Sequence, residues 1–155
     1  MNKLNKKGFT LIELLATVAI IAVLSVIVFA SLNSSKRFSD SRNSRRLVDV
    51  TRILNAVHTY IVDNSGSYPP GLSNGMAERQ LGTATTGANI STGGCSVTNG
   101  VALDISVSLG AYLKTIPFDP DGTSALTKYA IAIDENGVVT VKACCAQESI
   151  ISKSK

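Results

Sequence analysis

The sequence predicts an α+β fold in which one long N-terminal helix packs on a small antiparallel β-sheet. Three observations predict it. A run without charge, apolar but for Thr17 and Ser25, fills residues 14–30. Apolar residues then recur at Leu47, Val50, Leu54, Val57 and Ile61, the spacing of one helical face. Finally, Tyr129, Ile131 and Ile133, then Val139, Val141 and Ala143, alternate with their neighbours in the period-two pattern of strands.

The first element carries the most information. From Leu14 to Leu32 no residue is charged, and at about 1.5 Å per residue this stretch matches the ~30 Å hydrocarbon core of a bilayer. A secretory signal has a shorter apolar core with a small-x-small cleavage site after it. Ala30-Ser31 offers only a weak site of that kind. Before the run stand Lys3, Lys6 and Lys7, then Gly8-Phe9-Thr10-Leu11-Ile12-Glu13. Glu13 is the anomaly. A charge inside a membrane-spanning helix costs about 2.5–3.5 kcal/mol on insertion scales, so an acid there marks function.

The helix is expected to continue past Asn33-Ser34-Ser35. Val48, Ile53 and Tyr60 widen the apolar stripe into a face able to cover a sheet. No proline interrupts residues 9–68. Gly66 reads as the stop, and Pro69-Pro70 forbid continuation. Residues 71–100, rich in Gly, Ser, Thr and Asn, read as a long connection with one short helix around Met76–Leu81. A second short helix is expected over Leu103–Leu113, burying Ile105, Leu109, Tyr112 and Leu113. The alternating segments from 129 to 143 form a β-hairpin, and Asn136-Gly137 supplies the positive φ of its Asp134–Gly137 turn.

The net charge of +4 is local. Three lysines precede Gly8, and six basic residues lie between Lys36 and Arg52, against Asp40 and Asp49. From Ile53 onward six basic residues face eight acidic ones. That balance excludes a basic nucleic-acid-binding domain, and no nucleic acid is expected as partner. Arg42-x-x-Arg45-Arg46 reads as a solvated face. His58, the sole histidine, flanks the helical stripe with no nucleophile or zinc-ligand pattern, and no catalytic constellation stands out. The positive-inside tally favours the C-terminal flank of the apolar run. It is outweighed because that rule weakens for long translocated domains.

Lys6-Lys7-Gly8-Phe9-Thr10-Leu11-Ile12-Glu13 followed by a membrane-length run resembles the processing site of type IV pilins and of type II secretion pseudopilins. The resemblance covers residues 1–70, and 110–143 more loosely. It implies a pilin-like fold and four regions. Residues 1–8 are a leader, 9–32 a transmembrane and assembly helix, 33–65 its amphipathic continuation, and 66–155 an exported globular part with a long loop and the C-terminal hairpin. A prepilin peptidase would cut after Gly8 and methylate the new N-terminus, Phe9. Glu13, four residues along, could neutralise the Phe9 amine within the chain or meet that of a neighbouring subunit; the resemblance favours the second, with the pair setting register. The implied partners are that peptidase, identical or related subunits in a helical filament, an inner-membrane assembly platform and membrane lipid. The implied location is the cytoplasmic membrane with the C-terminal part outside, then a periplasmic or surface filament. Where pilins often carry proline, this chain has Ala30.

Tyr68-Pro69 and Pro117-x-Asp119-Pro120-x-Gly122 resemble major pseudopilins and favour a structural subunit of a pseudopilus. The other readings are a pilin of adhesion, motility or DNA uptake, and a membrane-anchored exported protein that never polymerises. The same resemblance implies calcium at Asp119 and Asp121, though Asp-Pro-Asp-Gly is also an ordinary turn. In an exported domain, Cys95 can pair with Cys144 or with Cys145. A strained Cys144–Cys145 bridge and free buried thiols are the alternatives.

Overall fold

The computed structural model describes residues 8–31 and 34–155. Two compact units divide the chain, Met1–Phe38 and Ser39–Lys155. The predicted α+β, pilin-like class is what is found.

The first unit is dominated by α1, Leu11–Ser31. Its two mid-helix hydroxyls turn back on the helix: Thr17 Oγ1 donates to the Leu14 carbonyl (2.8 Å) and Ser25 Oγ to that of Ile21 (2.7 Å). The polar groups are thereby satisfied within the segment, as a bilayer requires. Among the described residues, the span from Leu11 to Phe29 is the one long and apolar enough to cross a membrane. The next helix, α2, runs Ser34–Asp63. Residues 32 and 33, on which one continuous helix depends, lie outside the described residues, as do the leader lysines.

In the second unit, α2 ends where the sequence indicates, but Gly66 does not act alone. Ser65 takes the left-handed conformation first (φ 53°), Gly66 follows (φ 89°), and the Gly66 amide reaches back to the Ile61 carbonyl at 2.8 Å. This six-to-one bond is the Schellman closure of a helix C-terminus.

Four antiparallel strands form one sheet in the order β1-β2-β3-β4: Arg79–Gln80, Tyr129–Ile133, Val139–Ala143 and Ile151–Ser154. The predicted hairpin is β2–β3, in register from Tyr129 opposite Ala143 to Ile133 opposite Val139. Its turn differs in detail. Only Gly137 has positive φ (83°), while Asp134 Oδ1 accepts the amides of Asn136 and Val138. An aspartate side chain thus organises the turn that the Asn-Gly pair was expected to dictate.

The core lies between α2 and the sheet, with Val50, Ile53 and Val57 meeting Ile131, Val139 and Val141. It also corrects the helical stripe. Leu47 and Val48 are 44% and 48% exposed, whereas Arg46 is fully buried. The predicted face holds at Val50, Ile53, Leu54 and Val57, with Tyr60 and Ile61 partly buried against the core, and shifts only at its N-terminal end, where Arg46 with its internal partners takes the buried position.

Two other expectations fail. The segment expected as a helix around Met76–Leu81 contains strand β1, since its backbone finds distant partners: the Leu81 amide bonds the Tyr129 carbonyl and the Leu103 amide bonds that of Gln80, each at 2.8 Å. Gly82 follows at φ 144°, where an added Cβ would lie 2.1 Å from the Ala125 carbonyl oxygen. The helix expected over 103–113 is only α3, Ser106–Leu109. It buries Ile105 and Leu109, then gives way at Gly110, leaving Tyr112 and Leu113 half-buried.

Candidate functional site

The N-terminal segment is built around a reciprocal cap. Gly8, Phe9 and Thr10 precede the helix, all exposed, and a side chain at Gly8 would meet nothing within 4 Å. Thr10 Oγ1 accepts the Glu13 amide at 3.3 Å, while Glu13 Oε2 accepts the Thr10 amide at 3.4 Å. The Thr10 carbonyl accepts the amides of Glu13 and Leu14, each at 3.2 Å. This is a capping box, and it places a carboxylate in the first turn, where the helix dipole favours negative charge. Glu13 thus has a partner within its own segment, the Thr10 amide. The Thr-x-x-Glu spacing held that signal, and it went unread behind the processing motif.

Beyond the cap, α1 offers no polar chemistry to a ligand. Its large apolar side chains from Phe9 to Phe29 are all more than half exposed. That surface calls for an apolar surround, either lipid or other helices.

Asp119 and Asp121 are brought together, but by arginines. The Arg46 fork donates from Nε to Asp119 Oδ2 (2.5 Å) and from Nη2 to Asp119 Oδ1 (3.0 Å) and Asp121 Oδ2 (3.2 Å), while Nη1 reaches Asn43 Oδ1 at 3.0 Å. Arg46 and Asp119 have no exposed side-chain surface. The hydrogen bond to Asp119 and the neighbouring carboxylates hold the Arg46 guanidinium above its ordinary pKa, against the cost of burial. Arg42 pairs with the outer side of Asp121 at 3.4 Å. These residues do not fit a calcium ion: both Asp119 oxygens are already engaged, and a cation occupies the space between the acids. The solvated-face reading of Arg46 is corrected by the same contacts. A second charged group sits nearby, where the buried Tyr129 hydroxyl donates to Asp49 Oδ2 at 3.0 Å.

Cys95 bonds Cys144, closing a separation of 49 residues, and Cys145 remains a half-buried free thiol. One of the two predicted pairings is thus selected. Burial and the nearby Asp119 push the Cys145 thiol above its usual pKa, which disfavours the reactive thiolate. Glu78 lies within 4.8 Å of both bonded sulfurs, but sulfurs spent in a disulfide are not thiolate ligands. His58 Nε2 meets the Lys155 carbonyl at 2.9 Å, a structural contact.

An exposed apolar helix long enough to cross a membrane, opened by a glycine, an aromatic residue and a capped acid, together with a helix-on-sheet domain, is a pilin-like arrangement. The comparisons agree. Residues 3–29 match the prokaryotic N-terminal methylation motif. Over 87 residues the chain is 39% identical to the type IV wide pilus major component PilA4 of Thermus thermophilus, covering 56% of this chain and 61% of that protein. The chain thus spans about three fifths of that curated relative's length. No solved structure matches. Motif and relative together support the type IV pilin family for this chain.

Proposed function

We propose that this chain is a structural subunit of a type IV pilus-like filament, acting by assembly and not by catalysis. The observation that carries the reading is α1: a membrane-length helix with an exposed apolar surface, beginning directly after Gly8-Phe9 and capped by Thr10 and Glu13. A prepilin peptidase would cleave Gly8–Phe9 and methylate Phe9. The subunit would wait in the cytoplasmic membrane with residues 66–155 outside the cytoplasm. An assembly platform would then pack α1 among copies of itself, so that apolar contact with lipid is exchanged for contact with neighbouring helices.

The pilus reading leads over the pseudopilus one. The relative named above is a pilus component, and Asp119 and Asp121 are engaged by arginines instead of being free for calcium. Tyr68-Pro69 remains the feature shared with pseudopilins.

Expression with and without prepilin peptidase tests the proposal. Mass spectrometry should find a mature N-terminus at Phe9 carrying one added methyl group only when the peptidase is present. An intact Met1 in its presence, or a cut near Ala30, would overturn it. The cap makes a second test possible. Glu13→Gln keeps a side-chain acceptor for the Thr10 amide but removes the charge, whereas Glu13→Ala removes both. If the charge sets register, both variants are processed and both enter filaments poorly. Normal incorporation of Glu13→Gln would assign Glu13 to capping alone.

A further inference from the structure

Four side-chain oxygens converge on one buried cation in the second unit: both of Asp119, one of Asp121 and one of Asn43, all within 3.2 Å of Arg46 nitrogens. An array of oxygens closing on a positive centre is how a protein holds a hard metal ion. Here the positive centre is tethered to α2. The turn is folded about the same acid: Asp119 Oδ1 also accepts the Asp121 amide (2.9 Å), its carbonyl accepts the Gly122 amide (2.8 Å), and its own amide donates to Thr127 (2.9 Å). Charge closes locally, because Arg42 and Arg46 supply two positive charges to the two aspartates.

We infer that the Arg46 guanidinium is the resident cation of the 119–127 turn, in the place of a bound divalent ion, so that this part of the subunit stays ordered without calcium. The planar fork satisfies both oxygens of one carboxylate and one of a second, which a compact ammonium cannot do. A tethered cation also differs from a bound one in linkage. A metal stabilises a fold only in proportion to its free concentration. Arg46 is always present and no chelator removes it, so the turn is indifferent to the calcium content of the medium. The inference concerns the turn itself and stands apart from the filament reading.

The test uses the full chain in detergent micelles. Amide hydrogen exchange at Asp121 and Gly122, and the unfolding midpoint, are measured with a calcium chelator and again with calcium chloride. Wild type should give the same values in both. Faster exchange or a lower midpoint under chelation overturns the inference. Arg46→Met should speed exchange at both amides on the order of a hundredfold, the scale of breaking a buried ion pair. Calcium should then restore protection in that variant, because the oxygens it leaves are free. Unchanged exchange, or loss with no calcium response, overturns the assignment. Arg46→Lys keeps the charge without the fork and should lie between. Should Arg46→Met not fold, the wild-type chelation experiment and Arg46→Lys still decide: full protection in Arg46→Lys would show that the fork is not what holds the turn.

Discussion

In α1 every large apolar side chain from Leu11 to Phe29 is more than half exposed, whereas in α2 Val50, Ile53 and Val57 have no exposed surface at all. The polar groups run the opposite way. Glu13 sits at an open helix start, held by two long hydrogen bonds, while Arg46 and Asp119 are sealed in the core. Helix propensity does not separate these segments. What separates them is where the partner surface lies. The second unit contains its own: a sheet for the apolar face and a carboxylate for the guanidinium. Among its described residues the first offers no such sheet or carboxylate to the apolar side chains, so their area is left for lipid or other helices. The packed core resides in residues 39–155, and the proposed drive to associate in residues 9–31.

The largest effect should come from the covalent tie that belongs wholly to the second unit. The loop closed by Cys95–Cys144 is worth about 4 kcal/mol on the chain-entropy account. Cys144→Ser should lower the unfolding free energy of the full chain in micelles by roughly that amount. Alkylation of the unreduced wild type should label Cys145 alone, and slowly at neutral pH because its thiol is raised. Labelling of Cys144 would reassign the bridge.

The comparison itself is tested by two isoleucines. Ile53 is fully buried, and Ile20 is 60% exposed. Ile53→Ala should cost about 2–5 kcal/mol by lost transfer and cavity formation, read by denaturant titration. Ile20→Ala should leave that transition unmoved while altering filament incorporation. If Ile20→Ala destabilises the second unit comparably, the division of labour fails.

How much of this was legible depended on range. The apolar run and the β2–β3 alternation are local and were read from a few consecutive residues; the cap signal Thr10-x-x-Glu13 is as local but was passed over. Strand β1 is two residues, Arg79–Gln80, in a stretch with no alternation, and only Ile131 and Ala130 make it a strand. Strand β4 has a single buried apolar residue, Ile151, and exists because β3 offers it an edge. Arg46 misled for the same reason. Its partner Asp119 lies 73 residues away, so the basic run read as a wet surface. Yet 46, 50, 53 and 57 follow the same helical spacing as the chosen stripe, and a charge in phase with the core was the available clue. The acids at 119 and 121 were rightly singled out as a cluster, but their counter-ion is Arg46, a residue assigned to the solvated face of its helix.

The smallest effect concerns the other buried charge contact, and it carries a pH signature. The Tyr129 hydroxyl is raised above its ordinary pKa first by burial, then by the negative charge of Asp49 and the hydrogen bond it donates there. The fold therefore favours the protonated phenol. That contribution is complete below tyrosine's usual value of about 10 and is lost as pH climbs beyond it toward the folded value. Tyr129→Phe deletes a hydrogen bond to a charged group, about 1.5–3 kcal/mol, and Asp49 keeps Arg45 and Arg52 at 3.7 and 3.9 Å. At neutral pH the variant should unfold at lower denaturant than wild type, and the gap should narrow above pH ~10, where only wild type must hold this phenol protonated. No counterpart exists among the described residues of α1, which contain no tyrosine. A gap that stayed constant from neutral to alkaline pH would show that neither burial nor Asp49 holds this phenol protonated, and that buried charge shapes the second unit less than its geometry implies.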